Sequence, residues 1–151
     1  MMIRMCVCLL TLSLSHALAW AQTPPPANAP NVVGLAGTLS TARTPQERAA
    51  LLDQHRAALS IPVQRIVLSR GDGLMSQQRY ADARQVYETA LQIATLLDRE
   101  KRDGKGDGEG VAAAWNAIGS AEFFLGSHQK SLDAYTRSQQ QYQALDMQKE
   151  T

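Results

Sequence analysis

The stretch from Lys101 to Gly110 (KRDGKGDGEG) looks most like a ligand-binding loop, because its acidic side chains alternate with glycine. A calcium-binding EF-hand loop needs oxygen ligands at alternating positions and a bidentate glutamate at its twelfth position. Counted from Asp103, the third position is Lys105 and the twelfth is Ala114, and neither supplies that oxygen. The Gly-Lys-Ser/Thr of a phosphate-binding loop is also missing. The sequence therefore predicts a solvated connector here, not a calcium or nucleotide site.

The other residues that could do chemistry are isolated from one another. Downstream of Ala21 the only histidines are His55 and His128, on separate predicted helices and without a partner at metal-ligand spacing. Both cysteines, Cys6 and Cys8, lie in the amino-terminal segment, so a mature chain would have no thiolate nucleophile. No Gly-x-Ser-x-Gly elbow or zinc motif is present. We therefore expect no catalytic residue, metal or cofactor, and a protein that is not an enzyme.

The charge balance limits the kinds of partner. The chain of 151 residues has a formal net charge of +1, with 19% charged and 44% hydrophobic residues. Nucleic-acid binding depends on a basic surface that neutralises phosphates, and binding to an anionic membrane surface depends on clustered lysine and arginine. Neither pattern is present, so we expect no nucleic-acid partner and no electrostatic membrane binding. The length suggests a single domain with peripheral segments.

The amino-terminal segment 1–21 has the three parts of a signal peptide. Arg4 makes the start positive, Met5–Leu14 is an apolar run too short to span a bilayer, and small residues precede a cleavage position after Ala21. Cleavage after Ala19 and retention as a membrane anchor are the alternatives. We expect an exported protein, periplasmic or secreted, whose mature chain has no membrane span.

Two segments precede the main helical pattern. Residues 22–43 begin with four prolines and small polar side chains, which predicts a disordered tether. Residues 44–60 are predicted as a helix that caps the amino-terminal side of the fold. Thr44 is suited to cap it, Pro45 suits its first position, and Glu47 completes a capping box.

From residue 61 onward the hydrophobic spacing predicts two pairs of helices. The first pair spans 61–102, the Gly-rich loop spans 103–110, and the second pair spans 111–148. Between Tyr80 and Leu97 the apolar residues keep spacings of three and four, as on one face of a helix. We therefore predict an all-α fold of antiparallel helical hairpins, stacked as a short solenoid with one additional amino-terminal helix.

The two pairs share a residue pattern that resembles the tetratricopeptide repeat (TPR) family in its long-helix variety, over roughly half of the chain. The matching residues are Trp115, Ile118, Gly119, Ala121, Leu132 and Tyr135 in the second pair, and Gly71, Tyr80, Ala83, Tyr87, Ala90 and Leu91 in the first. A small residue where two helices cross lets their backbones approach, and large neighbours fill the adjoining groove. The chain departs from the family where Glu122 replaces an aromatic residue and where Ser131 and Ser138 replace alanine. The two copies are also further apart than the spacing that is usual in the family.

The resemblance implies a concave groove, lined by the first helix of each pair, that binds extended or helical peptides. The matching positions are Arg65, Leu68, Asp72, Met75, Asn116, Ser120, Phe123 and Phe124. Adjacent residues point about 100° apart on a helix, so either one phenylalanine ring is exposed as an anchor or both rings are core. The basic pattern of members that clamp a carboxylate is missing, so acidic carboxy-terminal tails are not the favoured ligand.

These observations favour an exported TPR-type module that binds a protein or peptide partner through the groove. Solenoids usually need about three repeats and polar ends, and this chain has two copies with an improvised cap. The alternative is therefore a structural subunit that associates with itself, or the amino-terminal piece of a larger repeat assembly.

Overall fold

A computed structural model of the protein describes residues 31–101 and 106–149, with side chains described up to Asp146. In this part of the chain six α-helices pack against one another and no strand is present, which confirms the all-α prediction. None of these helices is both long and apolar enough to cross a membrane. The predicted signal peptide, residues 1–21, lies outside the described residues.

The first described element is a helix, α1 (Val32–Leu39), inside the segment 22–43 that the sequence analysis assigned to a disordered tether. That prediction is wrong for this helix, and residues 22–30 lie outside the described part. Asn31 caps α1, because its side-chain oxygen accepts the Gly34 N–H at 2.8 Å. Leu39 is fully buried in a core that it shares with α3 (Ile61–Ser76). Gly34 and Gly37 increase the conformational entropy that is lost when α1 forms, and burial of the apolar face offsets that loss.

A helix is present within the predicted segment 44–60, but it is shorter than expected. Helix α2 spans Pro45–Gln54, and a 3-10 turn at Arg56–Ala58 follows it. The predicted capping box is confirmed, with the Thr44 hydroxyl accepting the Glu47 N–H at 3.1 Å and the Glu47 carboxylate accepting the Thr44 N–H at 3.3 Å. The chain then becomes extended until α3 begins, with proline in its first turn.

The four long helices follow in two pairs. The first hairpin consists of α3 and α4 (Tyr80–Glu100), and the second consists of α5 (Gly108–Phe124) and α6 (His128–Lys149). Each helix packs extensively against the next one along the chain. Helix α5 begins before the predicted end of the Gly-rich loop, 103–110. The Asp107 side chain accepts the Gly110 N–H at 3.2 Å and so caps α5.

Ion pairs hold α2 alongside α4. Arg43 contacts Asp82 at 3.1 Å, and Arg56 contacts Glu100 at 2.8 Å near the other end of α4. The central pair joins the buried Arg48 to Glu88 at 2.9 Å. Because the partners follow the same order along both segments, α2 runs in the same direction as α4. Exposed pairs contribute little stability, so we attribute the position of α2 mainly to the buried pair and to Leu52, whose burial adds to the core.

Two apolar clusters form the core. The first combines residues of α1, α2, α3 and α4, including Leu39, Leu52, Val67 and Ile93. The second joins Ala83 and Tyr87 of α4 to Ile118 and Ala121 of α5, with Ala134 of α6. Helix α4 contributes to both clusters and is therefore covered on two sides.

The two hairpins correspond residue by residue, and their turns have the same geometry. In the first turn Gln78 N–H bonds to Met75 O and Arg79 N–H bonds to Leu74 O, both at 2.9 Å. The second turn repeats both bonds at the corresponding residues, at 3.0 and 2.9 Å. This is the Schellman ending of a helix, which requires a left-handed residue. Gly126 supplies it at φ 75°, whereas the first turn uses Gln78 at φ 60°.

The helix crossings also correspond. A side chain on Gly71 would overlap the Tyr87 ring, and one on Gly119 would lie 2.8 Å from the Tyr135 ring. Glycine at these positions therefore allows a tyrosine to pack directly against the preceding helix.

The serines that depart from the family pattern have a structural role. Ser131 and Ser138 are buried, and their hydroxyls donate to the carbonyls of Gly119 and Ala112 at 2.8 and 2.9 Å. Each hydroxyl is thus satisfied by the backbone of α5, which is what a buried polar group needs. The first hairpin has Ala83 and Ala90 at these two positions.

Candidate functional site

Four aromatic side chains meet at the end of the second hairpin that carries its turn. The Tyr80 ring stacks on Phe124 with centroids 4.9 Å apart and an angle of 14° between the planes. Phe123 meets Phe124 edge to face at 5.7 Å, and the His128 ring lies 5.6 Å from Phe123. We call these four residues the aromatic cluster. Its geometry is that of favourable aromatic pairs.

The two phenylalanines of this cluster are more exposed than the sequence analysis expected. Phe123 is 54% exposed and Phe124 is 56% exposed. The sequence left two possibilities, one ring exposed or both rings in the core, and both are wrong. Successive rings of α5 point in different directions, but α5 ends at Phe124, where no neighbouring helix covers either ring completely. Two large apolar surfaces therefore face solvent side by side.

The predicted groove residues of α3 divide into two kinds. Leu68 and Met75 are half-buried and pack against the second core cluster, so they serve the fold. Arg65 and Asp72 are exposed. The Asp72 carboxylate accepts a hydrogen bond from the Tyr87 hydroxyl at 2.7 Å, so it also holds a buried ring in place.

The predicted groove residues of α5 lie along one side of that helix. Asn116 is exposed and Ser120 is half-buried, one turn apart, with Phe123 on the next turn. The Ser120 hydroxyl lies 3.0 Å from the Tyr135 hydroxyl, in the same relation that Asp72 has to Tyr87. The structure thus places Asn116, Ser120 and Phe123 along a common strip of α5.

Sequence reasoning missed two members of the aromatic cluster as site residues. Tyr80 was assigned only to the repeat pattern, and His128 was considered only as a metal ligand. The signal was present, because Tyr80 and His128 are corresponding residues of the two hairpins and each begins a second helix. The pattern could not show that Tyr80 of the first hairpin would stack on Phe124 of the second.

An open groove of about 450 Å³ lies away from the predicted face, between α2 and α4. Its apolar floor includes Leu52, Leu91 and Leu96, and Arg56 and Arg99 stand at its rim. The side chain of Arg56 is engaged with Glu100. We assign no ligand to this groove.

Two titratable groups are perturbed by their surroundings. Burial, and then the hydrogen bond and charge of Asp72, raise the pKa of Tyr87 far above its usual value. Burial also raises the pKa of Asp107, the cap of α5, against the opposing effects of the Gly110 N–H and the Arg65 charge. Within the described ranges no group of three metal-ligating side chains is brought together.

The chain matches none of the protein-family models, curated proteins or solved structures with which it was compared. The resemblance to the TPR family therefore rests on the residues named above. Membership of that family stays a prediction.

Proposed function

We propose that the protein is an exported TPR-type interaction module, which binds a protein or peptide through the strip of α5 and the aromatic cluster at its end. The observation that carries this proposal is the exposure of Phe123 and Phe124. Two adjacent rings, each more than half exposed, are a large apolar surface for one helix end.

The aromatic cluster has the properties of an anchor site for an apolar side chain. Aromatic residues are enriched where binding energy concentrates at protein interfaces. Tyr80 stacks on Phe124 and orders its ring before a ligand arrives, so less conformational entropy is lost on binding. The polar side chains of Asn116 and Ser120 precede the anchor along the same strip of α5, where they can hydrogen-bond to a peptide backbone.

The charges among the predicted groove residues favour a peptide without a strong net charge. Arg65 and Asp72, both exposed on α3, have opposite sign. A ligand that depends on several carboxylates would find a single cation, Arg65, among the eight predicted groove residues. An apolar or aromatic peptide segment with ordinary polar flanks fits the surface better.

A selection from a random peptide library on the chain that begins at Gln22 tests the proposal. Isothermal titration of the enriched peptides should then compare the wild type with Phe124→Ala. Loss of an aromatic anchor should weaken binding about tenfold or more, since such an anchor contributes at least about 1.4 kcal/mol. Val33→Ala is the matched control, because Val33 is comparably exposed at 57% and lies on α1.

The outcomes separate cleanly. Enriched peptides that lose affinity with Phe124→Ala and keep it with Val33→Ala support the proposal. Peptides that bind all three chains equally, or a selection that enriches none, would contradict it.

Export is a separate part of the proposal and has its own measurement. The intact mass of the protein purified from the periplasm or medium of its source cells should correspond to a chain that begins at Gln22. A protein retained in the cytoplasm with the segment 1–21 intact would contradict export, whatever the peptide selection shows.

A further inference from the structure

Most of the large apolar side chains that are exposed in the described residues lie on the second hairpin. Apart from Val33 on α1, they all belong to α5, α6 and the turn between them. Phe123, Phe124 and Leu125 lie at the turn, and the other three lie along α6. Those three are Leu132 at 59% exposure, Tyr135 at 37% and Tyr142 at 45%.

The corresponding face of the first hairpin is covered by a further helix. Tyr87 and Ala94 of α4 correspond to Tyr135 and Tyr142 of α6, and they are 2% and 0% exposed. Helix α5 covers Tyr87 with Ile118 and Ala121. In the described residues no helix follows α6 to cover Tyr135 in the same way. The equivalent surface is therefore covered on α4 and exposed on α6.

The exposed large apolar residues of α6 belong to a regular stripe. His128, Leu132, Tyr135, Gln139, Tyr142 and Asp146 follow one another at spacings of four and three. This is the spacing with which two helices pack along a shared seam. We call these six positions the α6 stripe.

The charges of α6 leave the middle of this stripe clear. Lys130, Asp133 and Arg137 point to the opposite side of the helix, given about 100° per residue. The residues that flank the stripe on its open side are Gln129, Thr136, Gln140 and Gln143, all uncharged. A second copy of the same surface would therefore meet no like charge along the middle of the seam.

We propose that the α6 stripe is a dimerisation surface, on which a second copy of this chain packs its own α6 in antiparallel orientation. In this orientation Leu132 lies against Tyr142 of the second copy, and Tyr135 lies against Gln139. At each end of the seam the His128 imidazole of one copy lies near the Asp146 carboxylate of the other, so that a hydrogen-bond donor faces an acceptor. Antiparallel packing also opposes the two helix dipoles, which parallel packing would align.

The other helices of a second copy are less suited to this position. Helix α5 already covers α4, and α3 packs against α1, so neither offers a free apolar face along its length; the exposed rings of α5 lie only at its end. The α6 stripe is the one long helix face of the described residues with several exposed large apolar side chains. Its use by both copies gives a closed twofold interface.

Sedimentation velocity of the chain that begins at Gln22, over a range of concentrations, tests the proposal. A seam of this length should give a dimer with a dissociation constant of roughly tens of micromolar, weaker than standard-size interfaces give. Leu132→Asp and Tyr142→Asp should each raise that constant at least about tenfold, because each buries a carboxylate in the seam. Both residues are exposed in the single chain, so neither change should prevent folding.

Val33→Asp is the control, since it places a carboxylate at a comparably exposed apolar site on α1, outside the stripe. It should leave the constant within about twofold of the wild type. A monomer at every concentration up to about 500 µM, or a dimer that Leu132→Asp and Tyr142→Asp leave unchanged, would overturn the proposal. A monomer at every concentration would indicate that a different protein, and not a second copy of this chain, covers the stripe.

Disulfide trapping tests the orientation, and the chain is suited to it because both of its cysteines precede Gln22. Chains carrying Leu132→Cys or Tyr142→Cys should form few disulfide dimers alone and many when the two are mixed under mild oxidation. Disulfides that form within each chain type alone, and not preferentially in the mixture, would overturn the antiparallel arrangement. This test also separates the dimer from the peptide-binding proposal, because neither position belongs to the aromatic cluster.

Discussion

The two hairpins are built on the same plan in different surroundings. In both, a glycine of the first helix meets a tyrosine of the second, and the tyrosine hydroxyl reaches a polar side chain on the first helix. In the first hairpin the tyrosine is buried by the next helix, and in the second it is 37% exposed. The comparison shows that local packing rules fix the hairpin, whereas its neighbours decide which face becomes core and which remains available for a partner.

The two hairpins also satisfy their crossings differently. The first places alanine against the preceding helix and relies on apolar burial from both sides. The second places serine there and bonds the hydroxyls to backbone carbonyls of α5. We infer that these hydrogen bonds supply part of the stabilisation that the second hairpin lacks because one of its faces is not buried.

The largest expected effect comes from filling the glycine crossings. Gly71→Ala should lower the free energy of unfolding by about 3 kcal/mol, because Tyr87 is enclosed and cannot move away from the new Cβ. Gly119→Ala should cost about 1 kcal/mol or less, because Tyr135 can swing outward and alanine favours helix. Urea unfolding followed by circular dichroism measures both. Equal losses would break the distinction between an enclosed and an open hairpin.

Removing the tyrosine hydroxyls tests the same distinction with a smaller change. Tyr87→Phe should cost about 1.5 kcal/mol, since it removes a hydrogen bond to a carboxylate, and Tyr135→Phe about 0.5 kcal/mol. Urea unfolding at neutral pH gives both values. A larger loss for Tyr135→Phe than for Tyr87→Phe would contradict this ranking.

The raised pKa of Tyr87 adds a pH signature to this pair. The folded chain holds the phenol proton more tightly than the unfolded chain, whose tyrosines ionise near pH 10. The stabilisation is therefore complete below about pH 10 and declines as the pH rises further. Tyr87→Phe should make alkaline unfolding shallower above that pH. An unchanged alkaline profile would argue against an enclosed Tyr87.

The buried serine hydroxyls should contribute a little less. Ser138→Ala, which introduces the residue of the first hairpin, should cost about 1 kcal/mol through the lost bond to Ala112 O. Thr136→Ala is the matched control, because its exposed hydroxyl bonds only within α6, to Leu132 O. That change should be neutral within about 0.5 kcal/mol. If both changes had the same effect on urea unfolding, the serine bonds would not compensate for the open face.

The smallest expected effect is a gain. Gln78→Gly should raise the free energy of unfolding by about 0.5 to 1 kcal/mol, because it relieves a left-handed glutamine. The reverse change in the second turn, Gly126→Gln, should lower stability by a similar amount. Equal and opposite shifts in urea midpoint would show that the two turns are equivalent, and unequal shifts would show that they are not.

Much of the fold could be predicted from the sequence because its signals are local. The capping box at Thr44, the spacing of α4 and the paired glycines each act over a few residues, and each was interpreted correctly. Helix α1 was missed because its glycines and the preceding prolines outweighed a short apolar face. That helix depends on burial against α3, which no local pattern reveals.

The candidate site could be predicted only in part, for a related reason. The pattern identified Asn116, Ser120 and the phenylalanine pair, which lie on one helix. It could not show that Leu68 and Met75 would pack against the core, or that Tyr80 would stack on Phe124 across the two hairpins. Exposure depends on what lies next to a helix, and that information is distributed along the whole chain.

Hydroxyl-radical footprinting of the chain that begins at Gln22, at several protein concentrations, tests the central claim most directly. We expect Tyr87 to be protected throughout. Tyr135 and Tyr142 should react in dilute solution and become protected as dimers form, and Phe124 should stay reactive until a selected peptide is added. Equal reactivity of Tyr87 and Tyr135 at every concentration would contradict the account of one hairpin plan with one covered and one open face.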